Sequence, residues 1–119
     1  MSWELDKSRP VCPQICEIIC VKIATGEYKA ESKLMSVREV AMTAGVNPNT
    51  VQKSFEQLES KGIIYSVRGS GWFVSAQTKQ AEDELEALIE SKTRDYFGQM
   101  STLGMDTEST KRYVEEWKE

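Results

Sequence analysis

Five polar side chains near the middle of the chain have the types and spacing needed to bind another polar surface. They lie within residues 46–59, VNPNTVQKSFEQLE, where the apolar residues Val51, Phe55 and Leu58 are spaced as one face of a helix. The opening turn and the opposite side carry groups that form hydrogen bonds, namely Asn47, Asn49, Thr50, Gln52 and Lys53. This face is therefore either simply hydrated or positioned to bind a polar partner.

Two short helices joined at a glycine are predicted to position this face. Asn47 is a good N-cap, and Pro48 suits the first position of the helix that follows. Ser36 and Glu39 have the spacing of a capping box, which predicts an earlier helix that starts at Ser36 and turns at Gly45. This arrangement is a helix-turn-helix, whose second helix points its N-terminal end outward.

A β-hairpin is predicted directly after the second helix, which should end near residues 61–62. Two β-prone runs, 63–67 and 72–74, flank the flexible basic sequence Arg68-Gly69-Ser70-Gly71. A helix-turn-helix followed by such a hairpin is a winged helix. Arg68 at the tip is then able to contact phosphates or to enter a minor groove.

Further helices are expected on both sides of the winged helix. Residues 10–25 form an amphipathic helix that stops at Gly26. From Gln77 a narrow apolar stripe returns, with Ala81, Leu85, Leu88, Ile89 and Tyr96. A linker at 100–105 and an N-cap at Asp106 or Thr107 lead to a last helix, which bears Tyr113, Val114 and Trp117. These C-terminal helices should pack on the first helix, on each other or on a second chain.

The predicted fold class is therefore mainly α with a small β-hairpin (α+β). A winged helix-turn-helix domain is expected over residues 1–75, followed by a short helical region over 76–119. The first part carries nine Lys/Arg and eight Asp/Glu, and the second carries six and eleven, which sum to the net charge of −4. The pI of about 5.0 argues against nonspecific coating of nucleic acid, but it allows one face to meet DNA.

The sequence contains no apolar run long enough to span a bilayer. The N-terminus MSWELDKSRP also lacks the pattern of a signal peptide. We therefore expect a cytoplasmic protein without a membrane partner.

Three cysteines, Cys12, Cys16 and Cys20, lie four residues apart along one side of the first helix. A metal site would need a fourth ligand from a carboxylate or a second subunit, because the chain has no His and no other Cys. A disulfide is disfavoured because i and i+4 Cβ atoms lie about 5–6 Å apart and a disulfide needs about 3.8 Å. Small packing residues are the favoured interpretation, and redox or metal sensing stays open.

The sequence shows no catalytic site, metal site or cofactor site. It has no histidine, no Gly-rich phosphate loop and no paired nucleophile and base, so no enzyme is expected. The aromatic residues Trp72, Tyr96, Tyr113 and Trp117 are either core residues or the lining of a small-molecule pocket at a dimer interface.

Residues 3–75 resemble the DNA-binding domain of the GntR family of bacterial transcription regulators. The motifs that carry the resemblance are R-P…Q-I, S-V-R-E-V-A, G-V-N-P-N-T-V, L-E-x-x-G-I-I and R-G-x-G-x-F-V, in the family's order and spacing. The short helical tail resembles the YtrA subfamily. The resemblance implies a homodimeric regulator, usually a repressor, that dimerises through its C-terminal helices and often controls a neighbouring transporter operon.

The resemblance also implies which residues contact a double-stranded DNA operator. They are Ser36, Arg38, Asn47, Asn49, Thr50, Gln52, Lys53, Arg68 and Gly69. Ser36 and Thr50 suit phosphate oxygens, as do the amides at a helix N-terminus. Asn49 and Gln52 suit adenine edges, whereas Lys53 reaches guanine or phosphate. Arg38 suits either phosphate or a base edge.

The sequence departs from the family pattern in one loop. The family usually has Pro-Gly before the second helix and Leu-Pro-Ser at its start, whereas this chain has Ala30-Glu31 and Leu34-Met35-Ser36. We therefore expect a looser loop, and we expect Glu31 to place negative charge near the DNA side. Both effects predict a modest or partner-dependent affinity.

The predicted mechanism is a homodimer that binds an inverted-repeat operator and blocks polymerase, with induction by anything that changes the half-site spacing. A small-molecule effector would be of unknown identity. The alternative is a winged-helix protein-interaction module that does not read DNA, which would use an apolar face in place of the hydrogen-bonding one.

Overall fold

The computed structural model describes residues 3–119, which form five α-helices and one two-stranded antiparallel sheet. In chain order the elements are α1 (Val11–Ala24), α2 (Val37–Ala44), α3 (Pro48–Ser60), β1 (Ile64–Val67), β2 (Gly71–Val74), α4 (Lys79–Thr102) and α5 (Thr107–Glu116). Their order and type confirm the predicted mainly helical fold with a small hairpin.

Local signals set the ends of the helix-turn-helix. Ser36 caps α2 in a complete capping box with Glu39, and the backbone of Gly45 then turns with a left-handed φ of 68°. Asn47 caps α3 with Pro48 as its first residue, as predicted. Gly62, which follows the C-cap of α3, also adopts a positive φ of 76°, so the chain can reverse into β1.

The core lies where α1, α3 and the hairpin meet. Ile15 and Ile19 of α1 are at most 1% exposed, as are Phe55 and Leu58 of α3. The rings of Phe55 and Trp72 meet edge to face with centroids 5.4 Å apart, so the hairpin is fixed to the buried side of α3. Trp72 therefore serves the core.

The hairpin register runs from Ile64 opposite Val74 to Val67 opposite Gly71. The loop before α2 lies along the free edge of β2, because Lys33 forms an isolated antiparallel bridge with Phe73. Three backbone hydrogen bonds hold this loop: Glu31 N to Val74 O (2.9 Å), Val74 N to Ser32 O (2.9 Å) and Leu34 N to Trp72 O (2.8 Å). The departure from the family's usual residues predicted a looser loop. This prediction is wrong, because these bonds tie the loop to the wing.

The C-terminal helices differ from the prediction at one boundary. The linker expected from residue 100 begins later, because α4 continues to Thr102. Asp106 caps α5 and accepts a hydrogen bond from the Ser109 amide at 2.8 Å, as expected for one of the two predicted caps. Trp117 lies just after α5, at its C-cap.

The chain divides into two compact units. The first unit ends at Leu85 and the second unit is Glu86–Glu119, so the division falls inside α4. The functional boundary at residues 75–76 stays a prediction. Within residues 3–119, none of the helices combines the length and apolarity that crossing a membrane requires.

Candidate nucleic-acid interface

The N-terminal half of α3 presents the predicted polar face outward. Asn47, Asn49 and Lys53 are exposed, and Thr50 and Gln52 are half-buried. Asn47 Oδ1 accepts a hydrogen bond from the Asn49 amide at 2.7 Å. The cap thus occupies the oxygen of Asn47 but leaves its NH₂ group available as a donor.

Gln52 is already engaged by a carboxylate on the same face. Its Nε2 donates a hydrogen bond to Glu56 Oε2 at 3.1 Å, one helical turn further along α3. A Gln52 amide that pairs with an adenine edge would have to exchange this bond for the base. Glu56 therefore fixes the Gln52 side chain in the free protein and competes with its use on DNA.

Ser36 and Arg38 lie at the start of α2, and both are exposed. Ser36 Oγ accepts from the Glu39 amide at 3.1 Å, and the Ser36 amide donates to Glu39 Oε1 at 2.9 Å. The hydrogen bond from the Ser36 backbone lowers the pKa of the Glu39 carboxyl. The Ser36 hydroxyl hydrogen is still available to donate to a phosphate.

Arg38 of α2 and Asn47, the N-cap of α3, line one shallow groove of about 370 Å³. The rest of its lining comes from α2, the turn and the first residue of α3: Ala41, Met42, Gly45, Val46 and Pro48. The structure thus brings together two of the residues that the sequence comparison assigned to DNA.

Arg68 and Gly69 form the exposed tip of the wing. The Ser70 amide donates to Val67 O at 2.9 Å and closes the turn. Gly69 has a φ of 80°, a backbone conformation that favours glycine, and no atom lies within 4 Å of the position that a Cβ would take. A phosphate is therefore free to approach the backbone of the turn closely.

Local charge on these elements favours an anionic partner. Lys33, Arg38, Lys53 and Arg68 are exposed, and in the described part of the chain none of them forms a salt bridge. Nearby carboxylates are engaged by hydrogen bonds, such as the one that Glu31 accepts from the Tyr65 hydroxyl at 3.1 Å. These unpaired cations favour an anionic partner, although carboxylates such as Glu31 keep their negative charge and the whole chain is acidic.

Lys33 is a basic residue that sequence reasoning missed. Its bridge to Phe73 fixes its backbone against the wing, three residues before the cap of α2. Its Cε lies 3.2 Å from where a Cβ on Gly71 would stand, so the lysine stem passes close over this glycine. The sequence gives no periodic signal for a contact between residues 33 and 73.

Two of the three cysteines, Cys12 and Cys16, contact Ser54 of α3, and Cys20 is buried in the core. The Ser54 hydroxyl, which is fully buried, lies 3.2 Å from both the Cys12 backbone oxygen and its Sγ. The Cys16 thiol donates to the Ser54 backbone oxygen at 3.4 Å. Burial raises the pKa of the Cys16 thiol to about 12 and that of Cys20 to about 11. These contacts support the packing interpretation, and residues 3–119 contain no cluster of three or more possible metal ligands.

The remaining aromatic residues lie in the second unit. Tyr96, Tyr113 and Trp117 are 40%, 54% and 59% exposed, respectively. They line a groove of about 700 Å³ between the end of α4 and α5, together with Phe97, Val114, Lys92, Thr93, Lys111 and Glu115. In the single chain they are therefore surface residues rather than core.

The fold and this surface define a class. A helix-turn-helix with an exposed hydrogen-bonding recognition helix, followed by an arginine-glycine wing, is a winged-helix DNA-binding protein.

Comparisons with known proteins place the chain within that class. Residues 13–74 match the family described as "Bacterial regulatory proteins, gntR family". The HTH-type transcriptional repressor YtrA of Bacillus subtilis (strain 168) is 32% identical over 111 residues, which cover 92% of this chain and 85% of YtrA. The chain therefore belongs to the GntR family, and it is a DNA-binding transcriptional regulator.

Solved structures agree with the family assignment. A GntR family transcriptional regulator from Listeria monocytogenes superposes with a TM-score of 0.79 at 37% identity, covering 96% of this chain and 100% of that chain. The DNA-binding domain of AraR, in complex with operator ORX1, has a TM-score of 0.55 at 30% identity, covering 63% of this chain and 92% of that domain. The near-complete overlap with YtrA and the Listeria protein agrees with the predicted YtrA-like type of regulator.

Proposed function

We propose that this protein is a homodimeric repressor that binds an inverted-repeat operator through α3 and the wing. The observation that carries the proposal is the division of α3 into two faces. Val51 and Phe55 are 0% exposed on one face, while Asn49 and Lys53 are exposed on the other. The buried face fixes the helix, and the polar face is left for base edges.

The proposed contacts divide into two groups. Asn49 and Gln52 read adenine edges, and Lys53 reaches guanine or phosphate. Phosphates are bound by Ser36, Thr50, Arg68, the Gly69 backbone and the exposed side-chain amide of Asn47, and Arg38 contacts either phosphate or a base edge. The first group is expected to set sequence preference and the second to set overall affinity.

The exposed aromatic groove supports dimerisation through the second unit. Exposed large apolar residues there include Ile89, Tyr96, Leu103, Tyr113, Val114 and Trp117. Exposed apolar side chains that line one groove, as Tyr96, Tyr113, Val114 and Trp117 do, usually mark an interaction site, and homo-oligomers of soluble proteins are most often twofold dimers. Two recognition helices placed one DNA turn apart, or a multiple of one turn, would then read an inverted repeat.

The proposal also includes a cytoplasmic location and the absence of enzymatic activity. Family members and relatives are transcriptional regulators. A small-molecule effector that changes the half-site spacing would act through the second unit.

Fluorescence anisotropy on the gene's own upstream intergenic DNA tests the proposal, with a salt series and random DNA as competitor. A site bound roughly 10³-fold or more above random DNA is expected. Changing Gln52 to Ala should cost about 1–3 kcal/mol on that site and relax its base preference. Changing Arg68 to Ala should weaken binding to all sequences. It should also reduce the salt slope, which is the slope of log binding constant against log salt concentration, by about 1.

The outcomes separate the proposed roles. Equal losses on all sequences for Gln52→Ala would remove its base-reading role. An unchanged salt slope for Arg68→Ala would mean that the wing does not touch phosphate. Binding without preference for any upstream site would contradict an autoregulating repressor and favour a winged helix that contacts protein partners.

A further inference from the structure

The segment before α1, residues 3–10, is folded onto the winged helix, and we call it the N-terminal arm. Gln14 of α1 holds it, although glutamine is rarely buried and this one is only 7% exposed. Gln14 Oε1 accepts from the Asp6 amide at 2.8 Å, and Gln14 Nε2 donates to the backbone oxygens of Asp6 (2.8 Å) and Pro10 (3.0 Å). A buried amide satisfied on both sides fixes the course of the arm.

The side chain of Lys7, in the middle of the arm, reaches the turn of the helix-turn-helix. Lys7 Nζ donates to Gly45 O at 2.7 Å, across 38 residues of sequence. Gly45 lines the same groove as Arg38 and Asn47. Gly45 comes two residues before Asn47, the cap of the recognition helix. The ammonium of Lys7 therefore lies at the edge of the surface proposed to meet DNA.

The charge of Lys7 is not neutralised within the arm. Arg9 Nε lies 2.9 Å from Asp6 Oδ2, so the arm's other cation is paired. Among residues 3–119, Lys7 takes part in no salt bridge. An ammonium has three donors, and the bond to Gly45 uses one, which leaves two for a phosphate.

We propose that the N-terminal arm is a further DNA-contacting element, in which Lys7 binds a backbone phosphate beside the N-terminus of α3 and Gln14 positions it. This inference rests on the proposed DNA-binding face. It adds a contact from outside the helix-turn-helix and the wing. Because the contact is to phosphate, it raises affinity without base preference.

A purely structural role for Lys7 makes a different prediction. Gly45 caps the C-terminus of α2, where a cation stabilises free carbonyls and the helix dipole. If that is its whole role, removing the charge lowers the stability of the fold and leaves the salt dependence of DNA binding unchanged. Salt slope and urea midpoint therefore separate the two roles.

The test compares Lys7→Gln with Lys61→Gln in the full chain, on one upstream duplex and one random duplex. Lys61 is the control for loss of a cation away from the proposed DNA face, because it is the C-cap of α3, about 20 Å along the helix from Pro48, where it pairs with Glu84 at 3.5 Å. For Lys7→Gln we expect the slope of log affinity against log salt concentration to become shallower by about 0.9 on both duplexes. The loss of affinity caused by the substitution is then about eightfold greater at ~0.1 M salt than at ~1 M salt. For Lys61→Gln we expect an unchanged slope.

Gln14 is tested as a positioning residue by a double-mutant cycle with Gln14→Leu. The expected result is that Gln14→Leu lowers the salt slope as much as Lys7→Gln does, and that the double variant loses nothing more. Additive losses would overturn the positioning role, and an unchanged slope in Lys7→Gln would overturn the phosphate contact. The wild-type protein is titrated in parallel. The proposed function fails only if wild type shows no preference for the upstream duplex, and this outcome is distinct from the two results that would overturn the roles of Lys7 and Gln14.

Discussion

Glu31 is the residue at which this chain departs most from a relaxed backbone. Among residues 3–119 it is the only non-glycine residue with positive φ, at 67°. It lies at the position where the family pattern usually has glycine. The hydrogen bond from its amide to Val74 O, at 2.9 Å, holds the backbone there. We therefore predict that Glu31→Gly increases the stability of the fold.

The magnitude follows from two opposing terms. A left-handed conformation costs an L-residue about 1–2 kcal/mol. Glycine gives back about 0.4–1 kcal/mol, because it makes the unfolded chain more flexible. The exposed hydrogen bond from Tyr65 to Glu31 contributes little and is lost in the variant. The net gain is about 0.5–1 kcal/mol, which corresponds to a rise in Tm of roughly 2–4 °C for a chain of this size.

Glu31→Ala is the matched control, because it removes the same carboxylate but keeps a Cβ at positive φ. Urea unfolding followed by tryptophan fluorescence should rank Gly above both Glu and Ala. In DNA titrations at low salt the two variants should gain affinity equally, because both remove one negative charge. An alanine variant as stable as the glycine variant would refute the strain argument.

Three further predictions concern other parts of the chain. Trp117→Ala should shift the protein from dimer to monomer in sedimentation velocity, because it removes a large apolar side chain from the exposed groove. Lys118→Ala is the control and should leave the dimer intact. A Trp117→Ala variant that stays dimeric would argue against this interface. The hydrogen-bonded Glu39 carboxyl has a lowered pKa. Its stabilising effect is therefore present above the ordinary pKa of 4.5 and is lost as the pH falls through the pKa of the folded state. Acid titration should destabilise wild type more than Glu39→Gln, and parallel curves of stability against pH would contradict the capping role. Burial raises the pKa of Cys16 and Cys20, so the stability that their protonated thiols contribute is fully present below the ordinary thiol value of 9.0 and is lost progressively as the pH rises from 9.0 to about 11 to 12. At pH 8 iodoacetamide should modify both thiols slowly in native protein and rapidly in urea. Fast labelling of the native protein would instead support a sensor role.

The recognition elements could be predicted from sequence because their signals are local. The capping box of Ser36 with Glu39 and the Asn47-Pro48 start each lie within four residues, so they act wherever the chain is placed. The turn glycines near Arg68 similarly specify a hairpin without help from the rest of the fold. The candidate contact residues follow from these elements together with the family motifs.

The rest of the surface was decided by contacts between distant parts of the chain. Lys7 meets Gly45 across 38 residues, and Lys33, in the loop before α2, meets Phe73 across 40 residues. Neither pair has a sequence period, because the two residues of each pair lie in different parts of the chain that only the folded structure brings together. The tied loop follows from the same packing, since its three backbone bonds to β2 compensate for the missing proline and glycine. Sequence alone thus determined the helices and the reading face, while tertiary packing decided which additional cations stand beside that face.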